Sequence, residues 1–286
     1  MDDGKLRALL TAVECGSFSK AAAQLGYTQS AMTHLVNKLE AEVGCTLLER
    51  DSQGIRLTDA GRQLLPYIQN VVCACDTLLQ EAAEQSDPRK RTLRIGCFAS
   101  IARARLPELL RAFRELHPEI KMDVLVRGDE LPAALANGTI QLALVDEARA
   151  KGFDFQPLAD APLVAVVPPD FTWEGETIPL ERLLREPFLS SPDQYIEPFL
   201  PPDTPRLEVT ASDDGSILSM VAGGLGVSVL SSFSLVGYEG HVRVLQLEKP
   251  IALRLGAAVK SVNTIGTSAR MFLTFLREYY GKDDTQ

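Results

Sequence analysis

Residues 16–44, with the sequence GSFSKAAAQLGYTQSAMTHLVNKLEAEVG, predict two short helices joined by a tight turn. Ser17 is a good N-cap for a helix over residues 18–25, and Thr28 is a good N-cap for another that runs to about residue 43. A glycine follows each helix as a stop signal. A helix, a short glycine turn and a second helix form the layout of a helix-turn-helix.

The residues on either side of this pair predict the rest of a small helical domain with a hairpin. Apolar residues at one helical spacing indicate a first helix ahead of the pair; they are Leu6, Leu9, Leu10 and Val13. Residues 47–50 and 55–57 flank the turn residues 51–54, which is typical of a small hairpin. Such a hairpin would form a wing beside the helix pair.

The second helix of the pair has an outward face without carboxylates. Polar side chains recur every three or four positions opposite its apolar stripe; they are Gln29, Ser30, Thr33, His34 and Asn37. No acidic residue occurs in residues 15–39. A helix face selected only for solubility would more often mix Glu and Lys. We therefore interpret this face as one that meets phosphates and base edges.

The candidate DNA-contacting residues lie on this face, at the starts of both helices and on the wing. They are Ser17, Thr28, Gln29, Ser30, Thr33, His34, Lys38, Arg50 and Arg56. Glutamine is suited to adenine in the major groove, and the hydroxyl and imidazole groups could serve either bases or the backbone. The alternative is that the helix residues form an ordinary solvated face and that the two arginines are solvated hairpin residues.

A long helix follows, starting at residues 58–59 and running to about residue 84. Apolar residues alternate at spacings of three and four, as in a coiled-coil seam; they are Leu64, Ile68, Val71, Cys75, Leu78 and Ala82. This stripe has no obvious partner within the chain, so it predicts a homodimer through the helix. Residues 85–91 are polar and contain a proline, which is typical of a linker.

The charge balance at first argues against a nucleic-acid partner. The 286 residues carry a formal net charge of -9. Residues 1–91 contribute 10 Lys+Arg and 12 Asp+Glu, and residues 92–286 contribute 19 and 26. Most of the acidic excess therefore belongs to the second part, and DNA binding has to be judged from local patterning.

From residue 92 onward, strand and helix patterns alternate. The predicted strands are 93–98, 120–126, 140–145, 163–167, 188–189, 207–211, 227–230 and 253–259. The predicted helices are 106–116, 131–136, 180–184, 217–222 and 267–279. Such alternation predicts an α/β fold with largely parallel sheets in two lobes, whose ligand sites lie at the carboxyl ends of the strands.

Metal, cofactor and redox chemistry find little support in the sequence. Cys73 and Cys75 point to nearly opposite sides of a helix, and the three histidines are scattered. Residues 223–226 are glycine-rich, but they follow a helix and precede a strand, the reverse order of a dinucleotide site. Cys97 could be a redox sensor, although a packed thiol is the simpler interpretation. We expect no cofactor, no metal and no catalytic residue.

Taken together, these residues resemble the LysR-type transcriptional regulators over essentially the whole chain. The specific amino-terminal matches are Gly16-Ser17-Phe18-Ser19, Ala21-Ala22, Leu25, Gln29, Thr33, Leu39-Glu40, Gly44, Leu47, Arg50 and Leu57-Thr58-Asp59-Ala60-Gly61. The later matches are Leu93-Arg94-Ile95-Gly96, His117-Pro118-Glu119-Ile120 and Met220-Val221-Ala222-Gly223-Gly224-Leu225-Gly226-Val227. The resemblance implies a winged helix-turn-helix, a dimerising linker helix and a two-lobed effector domain like a periplasmic binding protein.

Candidate effector-binding residues follow the ends of the predicted strands. They are Ser100, Ile101, Arg127, Asp129, Asp146 and Ser191. Ser100 matches the region of the family's ligand-contacting hydroxyl, and Arg127 would favour an anionic effector if it faces the cleft. The alternative is that these residues cap helices and turns.

The predicted domains are a DNA-binding domain at 1–58, a dimerising helix and hinge at 59–91, and an effector domain at 92–286. Lobe I is expected at about 92–161 and 266–286, and lobe II at about 162–265. The acidic first residues do not resemble a secretory signal, and no apolar stretch is long enough to span a membrane, so a cytoplasmic protein is expected.

The sequence thus predicts a non-enzymatic regulator that binds an interrupted palindrome in double-stranded DNA. A small-molecule effector between the lobes would modulate the DNA contacts. The resemblance implies a homotetramer, and RNA polymerase would be a partner if the regulator is an activator. The alternative is a cytosolic small-molecule-binding protein or transferase whose amino-terminal helices only oligomerise.

Overall fold

A computed structural model describes residues 2–51, 54–190, 196–207 and 213–283. The chain divides into two compact units, and along the sequence the principal division falls between Asp87 and Pro88. Within the described residues, no helix combines the length and the apolarity needed to cross a membrane.

The first unit contains four helices and a two-stranded hairpin. In chain order these are α1 (Asp3–Cys15), α2 (Phe18–Leu25), α3 (Gln29–Val43), β1 (Leu48–Asp51), β2 (Gly54–Leu57) and α4 (Asp59–Ser86). The first three helices pack around one apolar core, to which α3 contributes Met32, Val36 and Leu39. The predicted helix-turn-helix and wing are therefore confirmed.

The predicted helix boundaries follow from local capping. The hydroxyl Oγ1 of Thr28 accepts a hydrogen bond from the Ala31 amide at 3.2 Å, and that of Thr58 accepts one from the Gly61 amide at 2.9 Å. Ser17 stands at the predicted N-cap of α2 but makes no side-chain hydrogen bond there. Each of the first three helices ends at a glycine in the left-handed conformation.

The long helix α4 corrects one expectation. Ile68 and Val72 are only 7% and 6% exposed, because they pack into the core of the helix-turn-helix. Leu78 and Leu79, farther along the helix, are 69% and 65% exposed. The expectation that the whole apolar stripe lacks a partner within the chain is therefore wrong for the first half of α4. In the second half, Leu78 and Leu79 are exposed, so that half could still contact a second molecule.

α4 also lies unusually close to the wing. The carbonyl oxygen of Leu47 accepts a hydrogen bond from the Thr58 amide at 3.0 Å, and a Cβ on Gly61 would lie 2.2 Å from that same oxygen. Only glycine permits this approach, because any side chain at position 61 would collide with backbone. The start of α4 therefore fixes the hairpin against the helical core.

The second unit has eight strands and six helices among its described residues. Its strands are β3 (Thr92–Cys97), β4 (Lys121–Val126), β5 (Leu142–Asp146), β6 (Asp154–Val167), β7 (Thr177–Ile178), β8 (Ser228–Ser231), β9 (Arg243–Leu247) and β10 (Ala252–Val259). Its helices are α5 (Ala99–Ala104), α6 (Leu106–Leu116), α7 (Leu131–Ala136), α8 (Leu180–Leu183), α9 (Asp214–Ala222) and α10 (Thr267–Asp283). Short 3-10 helices occur at Pro88–Lys90, Glu197–Phe199 and Ser232–Leu235.

The strand arrangement is mixed, and the expectation of largely parallel sheets is wrong. The order is β4-β3-β5-β10-β6-β9-β7, and β8 also pairs with β6. The pairs β3–β4, β3–β5 and β7–β9 are parallel, whereas β10 is antiparallel to both β5 and β6. β8 and β9 are antiparallel to β6 as well. The two long strands thus run against their neighbours while joining the lobes.

Several elements begin or end away from their predicted positions. β6 starts at Asp154 rather than 163, β5 starts at Leu142 rather than 140, and α10 continues beyond residue 279. Helix α5 and strands β7 and β9 were not predicted. The predicted strand at 207–211 lies largely outside the described residues.

Separate apolar cores confirm two lobes. One core packs α6 and α10 against β3, β4 and β5, and its aromatic centre is Phe113 with Phe272 and Phe275. The other lobe has apolar clusters on the two sides of β6, one around Phe188 and one around Ile217. β6 and β10 contribute residues to the first core and to the Phe188 cluster, so they form the connection between the lobes.

Candidate functional site

The outward face of α3 is formed by exposed polar side chains. Gln29, Ser30, His34 and Lys38 are exposed, whereas Thr33 is half-buried at the edge of the face. Asn37 is exposed between them and belongs to the same surface, although it was not among the predicted contact residues. The helical spacing of Gln29, Thr33 and Asn37 had already placed Asn37 on this face in the sequence, so the same signal supports including it among the contact residues.

The start of α3 is ordered by two hydroxyls. The Oγ1 of Thr28 caps the helix and also lies 3.0 Å from the Oγ of Ser30. The Thr28 hydroxyl is therefore occupied by its hydrogen bond to the helix, whereas the neighbouring Ser30 is exposed to solvent. The amino-terminal end of a helix of this length attracts phosphate, because its amide groups and dipole favour negative charge.

Four cations of the first unit lie in two different environments. Lys5 pairs with Glu42 at 2.5 Å and with Asp2 at 3.1 Å, and these contacts raise the pKa of the Lys5 ammonium and lower the pKa values of both carboxyls. Arg7 of α1 pairs with Asp3 at 2.6 Å and with a carboxylate of α4. Lys20 and Lys38 are exposed within the acid-free stretch. The positive charges of Lys5 and Arg7 on α1 are therefore balanced by nearby carboxylates. Lys20 on α2 and Lys38 on the outward face of α3 lie in the stretch of sequence that has no acid.

Of the two arginines predicted on the wing, the structure describes the side chain of Arg56. Arg56 is exposed on β2 and lies directly across the ladder from Glu49. This opposite charge reduces the contribution of Arg56 to a phosphate contact. The side chain of Arg50 lies outside the described residues.

Glu40 is a structural acid that the sequence did not reveal. Its Oε1 accepts hydrogen bonds from the amides of Leu47 at 2.7 Å and Leu48 at 3.0 Å. The end of α3 is thereby fastened to the start of β1. Because a carboxylate that accepts two amides forms strong charge-assisted bonds, Glu40 holds the end of α3 against the first strand of the wing.

In the second unit, three parallel strands bring predicted effector residues to one edge. β3, β4 and β5 end at Cys97, Val126 and Asp146, and the carboxyl ends of parallel strands share an edge. Ser100 follows β3 in the first turn of α5, where it is half-buried. This edge is the position at which α/β sheets bind small ligands.

Arg127 and Asp129 follow β4 at the same edge, and both are exposed. The amide of Arg127 donates a hydrogen bond to the Cys97 carbonyl at 3.1 Å. Its guanidinium lies 3.7 Å from the carboxylate of Glu130. Arg127 thus already has an acidic neighbour, which an anionic ligand would have to displace.

Asp146 is buried and forms an ion pair with Arg149. Its side chain is 6% exposed, and its carboxylate accepts hydrogen bonds from the Arg149 amide at 3.1 Å and from the Arg149 guanidinium at 2.7 Å. The same guanidinium lies 5.0 Å from the centre of the Phe98 ring. Asp146 therefore closes the turn after β5 and ties it to the residue that follows β3.

The remaining two predicted effector residues are Ser191 and Ile101. Ser191 falls outside the described residues. Its neighbour Ser190 donates a hydrogen bond to Glu197 at 2.9 Å, and Arg206 pairs with the same carboxylate at 2.7 Å. Ile101 is 5% exposed and lines an apolar cavity beside β6 and β10. Its side chain therefore faces away from the strand-end edge that Ser100 adjoins.

The buried thiol has no reactive environment. Cys97 is fully buried, and burial raises the pKa of its thiol to about 12. A thiol with so high a pKa is not ionised at neutral pH, which supports the packed interpretation over a redox sensor. No group of three or more potential metal ligands occurs among the described residues.

Comparisons with known proteins match both units. Residues 4–62 match the family of bacterial regulatory helix-turn-helix proteins of the lysR family, and residues 86–281 match the LysR substrate binding domain. An uncharacterized HTH-type transcriptional regulator of Bacillus subtilis, YvbU, is 26% identical over 98% of this chain and 99% of its own.

Two solved structures have the same fold. A full-length OxyR variant from Pseudomonas aeruginosa has a TM-score of 0.70 at 21% identity, covering 97% of this chain and 95% of its own. CbnR in complex with its target DNA has a TM-score of 0.65 at 20% identity, covering 97% of this chain and 99% of its own. The two family matches favour a regulator over the alternative of a small-molecule-binding protein or transferase, and they identify no enzyme. The chain belongs to the LysR family of transcriptional regulators, with a DNA-binding helix-turn-helix unit followed by an effector-binding domain.

Proposed function

We propose that the chain recognises an interrupted palindrome through α3 as part of a homo-oligomer in the cytoplasm. The observation that carries this proposal is the acid-free, exposed polar face of α3. Gln29 and His34 would meet base edges there, with the adjoining hydroxyls of Ser17, Thr28, Ser30 and Thr33 serving bases or backbone. Lys38 and the wing arginines Arg50 and Arg56 would contact phosphates.

Selection of bound fragments from random DNA duplexes tests this proposal. We expect the full-length protein to enrich an interrupted palindrome, because a two-fold dimer presents two copies of α3 to major grooves about one helical turn, or a multiple of it, apart. No enrichment, or enrichment of a single unpaired site, would contradict the proposal. A parallel selection at raised salt separates specific sites from phosphate binding alone.

The dimer contact that we propose is the exposed apolar patch on α4, formed by Tyr67, Val71, Leu78 and Leu79. The side chains of Leu78 and Leu79 are among the most exposed large apolar side chains in the described chain. Monomeric proteins rarely leave a continuous apolar patch of this kind in water. A second copy of α4 would cover it in the manner of a coiled coil.

Leu78→Asp combined with Leu79→Asp is expected to give a folded monomer. Both side chains project into solvent, so two carboxylates there cost the isolated chain little but would be buried at a dimer contact. Light scattering should report half the mass, or less, of the wild-type particle. Asn70→Asp, at an exposed position of α4 off this patch, is the matched control and should keep the wild-type mass. A double variant of wild-type mass would contradict the proposed contact.

We further propose that an effector binds at the strand-end edge between the lobes, near Ser100. Arg127 and Asp129 follow β4 and Asp146 ends β5; these three residues and Ser191 remain predicted members of this site. An effector that prefers one arrangement of the lobes would shift the population of arrangements. In a tetramer such a shift would change the spacing of the DNA-binding units, and in an activator it would alter the contact with RNA polymerase.

A further inference from the structure

Arg7 of α1 binds two carboxylates that belong to two different helices. Its Nε donates a hydrogen bond to Oδ2 of Asp3 at 2.6 Å, within α1. Its Nη2 donates to Oδ1 of Asp76 on α4, and its Nη1 donates to Oδ2 of the same carboxylate at 3.4 Å. All three nitrogens of the guanidinium are therefore engaged. The pair with Asp76 is two-pronged, which gives an arginine–carboxylate contact a defined direction as well as energy.

This contact is suited to fixing a direction more than to stabilising the fold. The carboxylates of Asp76 and Asp3 raise the pKa of the Arg7 guanidinium, so the ion pairs are intact at neutral pH. The side chains of Arg7 and Asp76 are 34% and 49% exposed. Ion pairs that are exposed to this degree contribute little to the stability of a folded domain. Loss of the pair is therefore expected to leave the first unit folded.

Asp76 extends the fixed part of α4 beyond the apolar core. Among the described residues, Val72 is the last buried residue of α4 in the core of the helix-turn-helix, and Ile68 lies four positions before it. Asp76 follows four positions after Val72, on the same side of the helix. The three contacts hold about 12 Å of α4 against the rest of the unit. The exposed Leu78 begins within the next turn.

The same part of α1 also holds the recognition helix α3. Nζ of Lys5 pairs with the carboxylate of Glu42, near the end of α3, at 2.5 Å. Between the two cations, Leu6 is buried in the apolar core that α1 shares with α3. Lys5 and Arg7 thus connect α3 and α4 through the first two turns of α1.

We propose that Arg7 is a positioning residue for DNA recognition, which fixes the direction of α4 relative to α3 beyond the apolar core. This inference rests on the proposed function, in which the exposed patch on α4 joins two protomers. In such a dimer, the direction of each α4 sets where its α3 lies relative to the two-fold axis. The contact between Arg7 and Asp76 therefore limits the half-site spacings that both copies of α3 reach at once.

Selection on duplexes with varied half-site spacing tests this inference. The duplexes carry two inverted copies of the half-site that the wild-type protein selects. Their spacers increase one base pair at a time over a helical turn of about 10 base pairs. We expect the full-length wild-type protein to enrich one spacing. Arg7→Gln and Asp76→Asn should select the same half-site but enrich the neighbouring spacings as well.

The measured quantity is the ratio of the best spacing to its neighbours. This ratio should fall at least about threefold in each variant, because a dimer loses two ion pairs of modest strength. The thermal midpoint should fall by no more than about 5 °C, and light scattering should report the wild-type mass. A lower thermal midpoint with an unchanged spacing ratio would mean that Arg7 only stabilises the fold, which would overturn the proposal.

Asp59→Asn is the matched control variant. Asp59 is another exposed acid of α4, and its carboxylate pairs with Arg62 of the same helix, so its loss breaks no ion pair between helices. Its spacing ratio should equal that of the wild type. Arg7→Glu combined with Asp76→Arg exchanges the two charges and should restore part of the wild-type ratio, because an arginine at position 76 again meets a carboxylate on α1.

Failure of this inference and failure of the proposed function are distinguishable. An unchanged ratio in Arg7→Gln and Asp76→Asn, or an equal fall in Asp59→Asn, would overturn the role of Arg7 while the wild type still enriches a palindrome. Wild-type protein that enriches no palindrome at any spacing would contradict the proposed function, and the role of Arg7 with it.

Discussion

Ile68→Asp is expected to unfold the first unit, whereas Leu78→Asp, ten positions along the same helix, is expected to leave it folded. Ile68 is 7% exposed and packs in the core of the helix-turn-helix, and Leu78 is 69% exposed. A carboxylate at position 68 would be buried without a partner while a large apolar side chain is lost. Together these changes should lower the free energy of unfolding by more than about 4 kcal/mol.

Thermal unfolding followed by circular dichroism measures this difference. The helical signal at 25 °C should fall in Ile68→Asp and remain at the wild-type level in Leu78→Asp. The second unit should keep its own signal in both variants, because position 68 belongs to the core of the first unit. A folded, monomeric Ile68→Asp protein would contradict the packing described here and would assign Ile68 to the dimer contact.

The interpretation of α4 illustrates what periodicity can and cannot predict. Apolar spacings of three and four predicted a stripe along α4, and the stripe exists. Its first half packs against α1 and the wing, and its second half is exposed. A stripe has the same spacing whether its partner is another helix of the chain or a second molecule. The division at about Val71 therefore could not be predicted from the sequence alone.

The amino-terminal helices were predictable because their signals are local. Capping residues and terminal glycines act within one turn of the helix that they bound, so the limits of α2 and α3 and the end of α1 followed from the sequence. The role of Glu40 was not predictable. Its carboxylate binds amides seven and eight positions away, and that contact exists only once the wing has folded back.

Strand direction was the principal error in the second unit. The apolar run 253–259 has the same pattern whether β10 runs with or against its neighbours, and only the path of the chain makes it antiparallel to β5 and β6. The sequence predicts only residues 163–167 of β6. The first half of the strand, from Asp154, is only partly buried and lacks a continuous apolar run. Alternation of strands and helices thus predicted the class of fold but not the pairing.

The sequence predicted where the candidate effector residues lie in the fold, but not the contacts that their side chains make. Strand ends located Ser100, Arg127 and Asp146 at one edge, as the parallel pairs β3–β4 and β3–β5 require. The pairing of Asp146 with Arg149 depends on the turn between them, and the orientation of Ile101 toward β6 depends on how α5 packs. Both properties arise from tertiary packing, which local patterns do not encode.

Gln29→Ala combined with His34→Ala is expected to remove specific DNA binding while the protein stays folded. Both side chains are exposed on α3, so their loss should change the free energy of unfolding by no more than about 0.5 kcal/mol. A side chain that reads a base edge contributes about 1–3 kcal/mol of discrimination. Because a palindrome is read twice, affinity for the selected site should fall at least about tenfold, and Asn70→Ala should bind as the wild type does.

Competition mobility shift with the selected duplex and a scrambled duplex of the same composition is the most direct measurement of whether α3 reads DNA. The wild type should prefer the selected duplex, and the Gln29→Ala/His34→Ala protein should bind both duplexes alike, with the weak affinity that phosphate contacts alone provide. A double variant that keeps the wild-type preference for the selected duplex would contradict the assignment of the acid-free face of α3 as the recognition surface.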